Sequence, residues 1–437
     1  METRPGKHRF AMGVCWILVV FLVLFPKGGF KIGNLPLTWG YLLMGLSVPI
    51  VLPLRMLFRP LQFPNQLIGA LVLLFPMQMV FAYGALVNGI SDPSPAFASF
   101  VNLFVLPWIF LLIYAPFLPI LDGRRLSGYI RFCILIAALW GIFLFFLHPI
   151  TNFYLEIPYL TVNAQDYGKL EVTKDISRGL FFKLISTYNS GNLYGAATLI
   201  LLPLYRLFEP ARWRRAAVLV ALFLTLSRSV WVGIIFYEFL PLLGTLASQI
   251  KTFPMVNLKK FRAQFIVLAF FVVVIVAVSV LFVSSYGGIA SFLLDPTGNG
   301  RLSAQNLSSQ ITFLPSTGVG AFAEILYLSA LQVFGIVGLL AFTLLMVSPV
   351  LLLLLDKSAL ESPSRRAALK GLMIYSVVAM MDGAFDFIPV MAFYWFTYMI
   401  DLFGWPAFKP RRHRRRGILA PLAEQSSVGL SPEPTGS

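Results

Sequence analysis

RWRRAAVLVALFLTLSRSVWVGI, residues 212–234, decides how the chain folds. A basic cluster opens it, an apolar run follows from Ala216 to Leu226, and Arg228 then stands between two serines before the apolar pattern resumes. RWRR marks an inner helix end, because Lys and Arg gather on the cytoplasmic side of membrane spans. At 1.5 Å per residue, the dozen residues up to Ser227 rise roughly 17 to 20 Å, short of the roughly 30 Å of hydrocarbon in a bilayer. Arg228 is therefore expected at the outer hinge of two short helices, or slightly within the membrane.

The whole composition agrees with that reading. Hydrophobic residues make up 58% of the 437 and charged residues 12%, too little polar surface to coat a soluble globule of this size. An all-α integral membrane protein of about twelve transmembrane helices is implied, since lipid offers backbone polar groups no outside partners. The expected spans lie near 11–26, 36–54, 66–88, 97–120, 129–148, 191–207, 213–226, 229–248, 263–284, 324–355, 370–388 and 389–405. With the N-terminus inside, Arg55 and Arg59, Arg124 and Arg125, RWRR, Lys251 to Arg262, DKSALESPSRR and KPRRHRRR all fall on the cytoplasmic side.

The segment AMGVCWILVVFLVLF follows a basic stretch, as in a signal peptide, but PKGGFK follows it in place of a small-residue cleavage site, which favours a retained first helix. Cys15 and Cys133 lie in apolar runs, where they support neither a disulfide framework nor a metal site. The net charge of +16 and KPRRHRRR at 409–416 read as a topology signal and not as a nucleic-acid surface. Residues 1–408 form the membrane domain, and 409–437, rich in Pro and Ser after the basic run, form a disordered cytoplasmic tail.

Two long connections fall on the outer side, about 148–190 and about 285–323, and long loops in a compact bundle usually carry function. The first mixes polar residues with aromatics and is expected to hold some secondary structure; the second has turn signals at DPTGNG and STGVG. Arg178 and Arg301 lie in these loops, on the same side as Arg228. Guanidinium forks bind phosphate oxygens bidentately, so three converging arginines suit a diphosphate. Each also has a plainer reading, as a snorkelling or solvated charge. The candidate carboxylates are Glu324, after the second loop, and Asp382 and Asp386 in MMDGAFDF, whose spacing of four puts them on one face if that stretch is helical. Their plainer role is to pair with the arginines and hold the bundle. No cluster of His, Cys and acid has metal spacing, and no P-loop, GxSxG or dinucleotide fingerprint appears, so no cofactor is expected.

Three separated stretches carry a family resemblance: SRG with STYNSGNLYGA, LTLSRSVWVG, and GRLSAQN followed by LPSTGVG and AEILYLSALQVFGIVGLLAF. Covering roughly 177–345, they resemble the bacterial O-antigen ligase and O-antigen or exopolysaccharide polymerase family; MDGAFDFIPVMAFYWF is similar more loosely. The resemblance implies a GT-C-like bundle in the bacterial inner membrane. Its activity would be metal-independent periplasmic transfer of a glycan from a polyprenyl-diphosphate-linked donor to an acceptor glycan or lipid, alongside export or assembly proteins. It implies catalytic roles for Arg228, Arg301 and Glu324, and substrate binding by Arg178, Asn189, Asn192, Ser227, Asp382 and Asp386. Ligase-type members commonly carry a histidine after the second loop; no histidine stands between 149 and 412 here, and Glu324 lies near the expected place, which favours a polymerase over a ligase. The competing class is a flippase or transporter, or a non-catalytic component, for lipid-linked saccharides.

Overall fold

A computed structural model describes residues 5–32, 35–58, 64–152, 154–169, 177–178, 181–249, 311–320, 322, 325–356 and 361–406. The expected span 263–284, Arg301, Glu324, most of the second loop and the tail from 409 lie outside these residues, as does the side chain of Arg178.

The described chain is mostly helical. Helix α1 (Pro5–Val19) runs on into a π turn at Val20–Leu24, and a hairpin of β1 (Gly29–Ile32) and β2 (Leu35–Thr38) leads to α2 (Trp39–Phe58) and α3 (Asn65–Asn88). Then come α4 (Pro93–Ile120), α5 (Gly123–Thr151), the two-residue strands β3 (Ser177–Arg178) and β4 (Phe181–Phe182), α6 (Gly191–Phe208), α7 (Arg212–Leu224) and α8 (Arg228–Gln249). Helices α9 (Leu326–Leu355), α10 (Pro363–Val378) and α11 (Ile388–Phe403) complete the description. Among the described residues, α3, α4, α5 and Leu326–Leu353 of α9 are long and apolar enough to cross a membrane.

Local chemistry explains the helix limits. Asp122 caps α5 by accepting from the Arg124 and Arg125 amides (3.0 and 3.4 Å), and Asn152 ends it in the left-handed region. Asp92 caps α4 through the Ser94 amide at 3.2 Å, with Pro93 in the first turn. Further along, Pro107, Pro116 and Pro119 each remove an amide donor. There α4 passes through π turns at Val101–Val105 and Trp108–Tyr114 and ends as a 3-10 turn at Ala115–Ile120.

The span expected at 324–355 is not one regular helix. Gly335 has φ +71, and the amides of Ile336 and Val337, freed by the break, donate to the carbonyls of Thr312 and Phe313 at 3.0 and 3.2 Å. The end of the second loop is thereby stitched into the broken helix. A side chain at 335 would meet the Thr312 carbonyl oxygen at 2.6 Å, so glycine is needed for both conformation and space.

The two ends of the bundle differ in chemistry. At one end Arg131 and Arg214 face the buried Glu209 (3.8 and 3.6 Å), Arg365 pairs with Asp356 at 2.8 Å and donates to the Asp401 carbonyl at 2.5 Å, and Trp405 donates to the Gly123 carbonyl at 3.1 Å. The basic clusters at 124–125, 212–215 and 365–366 therefore share one end. At the other end the β1–β2 hairpin meets the loop after α5: Lys31 pairs with Asp166 at 2.6 Å and the Trp39 indole donates to the Tyr159 carbonyl at 2.7 Å.

Helix lengths then set the depth of the connections. At 1.5 Å per residue α5 rises about 43 Å, α10 about 24 Å and α7 only about 20 Å. The segment 184–190 meets α5 halfway along its length, where Ser186 Oγ donates to the Ala137 carbonyl at 2.6 Å. The connections of the short helices at the end away from the basic clusters accordingly form a floor recessed below the far end of α5.

Candidate functional site

Three connections build this floor: 184–192 before α6, 225–228 between α7 and α8, and 379–387 between α10 and α11. The first two are joined by the Leu184 amide, which donates to the Leu224 carbonyl at 3.0 Å. Where they cross, a side chain at Gly191 would meet the Leu184 carbonyl oxygen at 2.7 Å and the Thr225 carbonyl oxygen at 3.1 Å. Asn189 is buried with φ 50, a left-handed conformation asparagine tolerates, and Ser190 then caps α6.

A turn stands at the expected hinge, but only the helix before it is short: α8 runs for 22 residues. Helix α7 stops at Leu224, Leu226 takes φ 48, and α8 starts at Arg228. The turn is locked by its own side chains: Ser227 Oγ and Ser229 Oγ share a hydrogen bond at 2.9 Å, and the Trp231 indole donates to the Phe223 carbonyl at 3.0 Å while stacking on the Phe223 ring at 5.2 Å. Both serines are buried and Arg228 is half-buried. Arginine keeps its charge at this depth, so the hinge holds a permanent cation.

The two aspartates do not share a helical face, contrary to the expectation from their spacing. Helix α10 ends at Val378, because the Ala379 carbonyl is taken by the Leu326 amide at 3.1 Å and Ala384 adopts φ 48. The stretch 379–387 is a turn, and within it the carboxylates diverge. Asp382 is buried and accepts a hydrogen bond from Asn192. Asp386 accepts from Ser99 Oγ at 3.1 Å and from the Phe322 amide at 2.8 Å, tying α4 and the end of the second loop to the turn. Asn102 and Tyr375 hold the same turn through the Phe385 and Gly383 carbonyls, both at 2.5 Å.

Arg228, Asn192 and Asp382 stand at the same end of three neighbouring helices. Val230 seats against Gly195, and Gly233 against Leu199 and Val378, so α6, α8 and α10 meet in one layer. Arg228 lies just above that layer on α8, Asn192 about one turn above it on α6, and Asp382 just beyond the end of α10. Asn189 and Ser227 belong to the same floor, Asp386 to its scaffold, and Arg178 to β3, whose pairing with β4 leads into 184–192.

The charge-exception argument that singled out Arg228 applies equally to Lys27 in PKGGFK, which the sequence reading passed over. Its ammonium sits 4.4 Å from the centroid of the Phe387 ring, at the edge of the aspartate turn. Tyr188 is a second addition: its hydroxyl donates to the Val23 carbonyl at 2.9 Å and its ring packs edge-on to Tyr194 and Phe387. Tyr188 stands in STYNSGNLYGA, where only its neighbours Asn189 and Asn192 were expected to have a role. Among the described residues, no three His, Cys, Asp or Glu side chains gather in a way that would hold a metal ion.

The helices and their apolar exteriors fit the class of multi-pass, all-α membrane proteins. No protein-family model matches the sequence, and no curated protein matches it at significant similarity.

Proposed function

We propose that the chain is a glycosyltransferase of the bacterial inner membrane, which moves a glycan from a polyprenyl-diphosphate-linked donor to an acceptor sugar, as a polymerase in preference to a ligase. The observation that carries this reading is the placement of the Arg228 cation and the hydrogen-bonded Asn192–Asp382 pair at the same end of three helices that pack together. Placing the basic end in the cytoplasm turns the floor toward the periplasm, where the head of a lipid-linked donor would meet it.

In the reaction, the acceptor hydroxyl oxygen bonds to the anomeric carbon, the bond from that carbon to the diphosphate oxygen breaks, and the bonding pair leaves with the diphosphate. Arg228, with Arg178 and Arg301 from the loops, stabilises the growing charge; each fixed donor of this kind contributes about 3 to 4 kcal/mol. Arginine does this without giving up a proton. A carboxylate orients the acceptor hydroxyl and receives its proton, with Glu324 ahead of Asp382; diphosphate leaves readily, so positioning matters more than base strength.

A flippase would need polar groups along its whole path. Here Arg228, Asn192 and Asp382 stand at one end of the bundle instead, which favours transfer over transport. The test is glycan extension in cells that depend on this chain. Arg228→Ala should cut extension by about a hundredfold or more, with normal membrane insertion; wild-type product from that variant overturns the reading. Single repeat units left on the acceptor after gene deletion mark a polymerase, and long chains left on the carrier lipid mark a ligase.

A further inference from the structure

A half-open apolar slot runs between α1, α4, α5 and α11. On α1 its wall extends from Phe10 to Val23, about 20 Å at helical rise. Two of the three described π-turn segments contribute: Leu22 and Val23 from Val20–Leu24, and Phe110 and Tyr114 from Trp108–Tyr114. Wide turns of this kind are rare in helices and tend to occur at functional sites. The Tyr114 hydroxyl is itself satisfied by Ser47, so the wall offers water little to bind. Apolar cavities of this sort stay dry, and hydrocarbon is the matter that fills them.

The slot ends beneath the floor. Val23, in its wall, accepts the Tyr188 hydroxyl; the Tyr188 ring meets Phe387, and Phe387 carries the Lys27 ammonium. A lipid with its hydrocarbon in the slot would therefore hold its head beside Lys27 and the turn that carries Asp382. We propose that the slot seats the isoprenoid tail of the diphosphate-linked donor. This rests on the transferase reading, and it assigns the tail to α1, α4, α5 and α11 while the head lies over α6, α8 and α10. The slot selects donors by chain length, and the floor selects them by head group.

The test measures binding of undecaprenyl diphosphate and geranyl diphosphate to the full chain in nanodiscs, with palmitoyl-oleoyl phosphatidylglycerol as competitor. The long chain should bind at least about 100-fold more tightly than the short one, because each buried methylene adds affinity. Val14→Trp, which fills the slot, should reduce that advantage to under about fivefold and leave short-chain binding unchanged. Val72→Trp, at a position 62% exposed, adds the same bulk outside the slot and should change nothing. A photo-crosslinker replacing Leu18 in the slot wall gives a second readout that does not depend on the filled variant folding; it should capture the polyprenyl lipid. Equal binding of the two chain lengths, equal competition by the phospholipid, or capture of phospholipid alone overturns the proposal. Chain-length selectivity that survives while Arg228→Ala keeps full extension sinks the transferase reading and spares the slot. Arg228-dependent extension without chain-length selectivity does the reverse.

Discussion

Asn192 and Asp382, 190 residues apart in the chain, are hydrogen bonded to each other where the outer ends of α6 and α10 meet. The bond joins the first turn of one helix to the connection that follows another, and it fixes a buried carboxylate in the same recess as Arg228. Asp382→Ala should cost about 1 to 3 kcal/mol, because the Asn192 amide loses its partner in a dry setting. Asp382→Asn should keep most of that stability. If the carboxylate serves the acceptor, both variants lose glycan extension, while thermal unfolding in detergent separates them.

Asp386 should behave differently. It joins Ser99 on α4 to the Phe322 amide after the second loop, so its loss releases two donors at once. Asp386→Ala should lower stability by about 2 to 6 kcal/mol, because two donors lose their acceptor at about 1 to 3 kcal/mol each. Limited proteolysis between 311 and 325 should accelerate in that variant; unchanged cleavage would remove its scaffold role.

Gly335→Ala should destabilise the chain by about 1 to 3 kcal/mol or more, since a side chain there is strained at φ +71 and meets the Thr312 carbonyl oxygen. Gly128→Ala makes a useful comparison, because a side chain there meets nothing within 4 Å and its backbone lies inside α5. A melting temperature that falls equally in both would argue against the strained break as the cause.

Glu209 is 1% exposed and faces both Arg131 and Arg214. Glu209→Gln removes the counter-charge of two cations whose side chains are 27% and 44% exposed and can still be solvated, so the cost should stay at about 1 kcal/mol. The loss should appear as reduced stability in detergent, with the activity of the surviving folded protein unchanged because the cluster lies at the opposite end from the floor. A specific loss of activity at full stability would contradict that separation.

Lys27 and Arg228 show how far the charge rule reaches. Both are basic residues on the side that basic clusters avoid, and both lie at the recessed floor. The rule depends only on counting helices between clusters, which the apolar runs make legible in one dimension. The short reach of Ala216 to Leu226 likewise follows from residue count alone, and α7 ends within two residues of the expected limit.

The aspartates mark where that legibility stops. A spacing of four in an apolar stretch reads as one helical face, since nothing in MMDGAFDF identifies Ala384 as left-handed or shows that the Ala379 carbonyl will be claimed by Leu326. The choice is made by partners distant in the chain: Asn192 for one carboxylate, Ser99 and Phe322 for the other. The apolar slot and the break at Gly335 are of the same kind, because both depend on which helices come to lie side by side. Hydrophobic run length and charge placement act along the chain, so the sequence carries the helical class and the sidedness of its basic clusters. Which buried polar groups meet is decided in three dimensions, where each must find a partner or pay for desolvation, and only the packed structure distinguishes Asp382 at the floor from Asp386 in its frame.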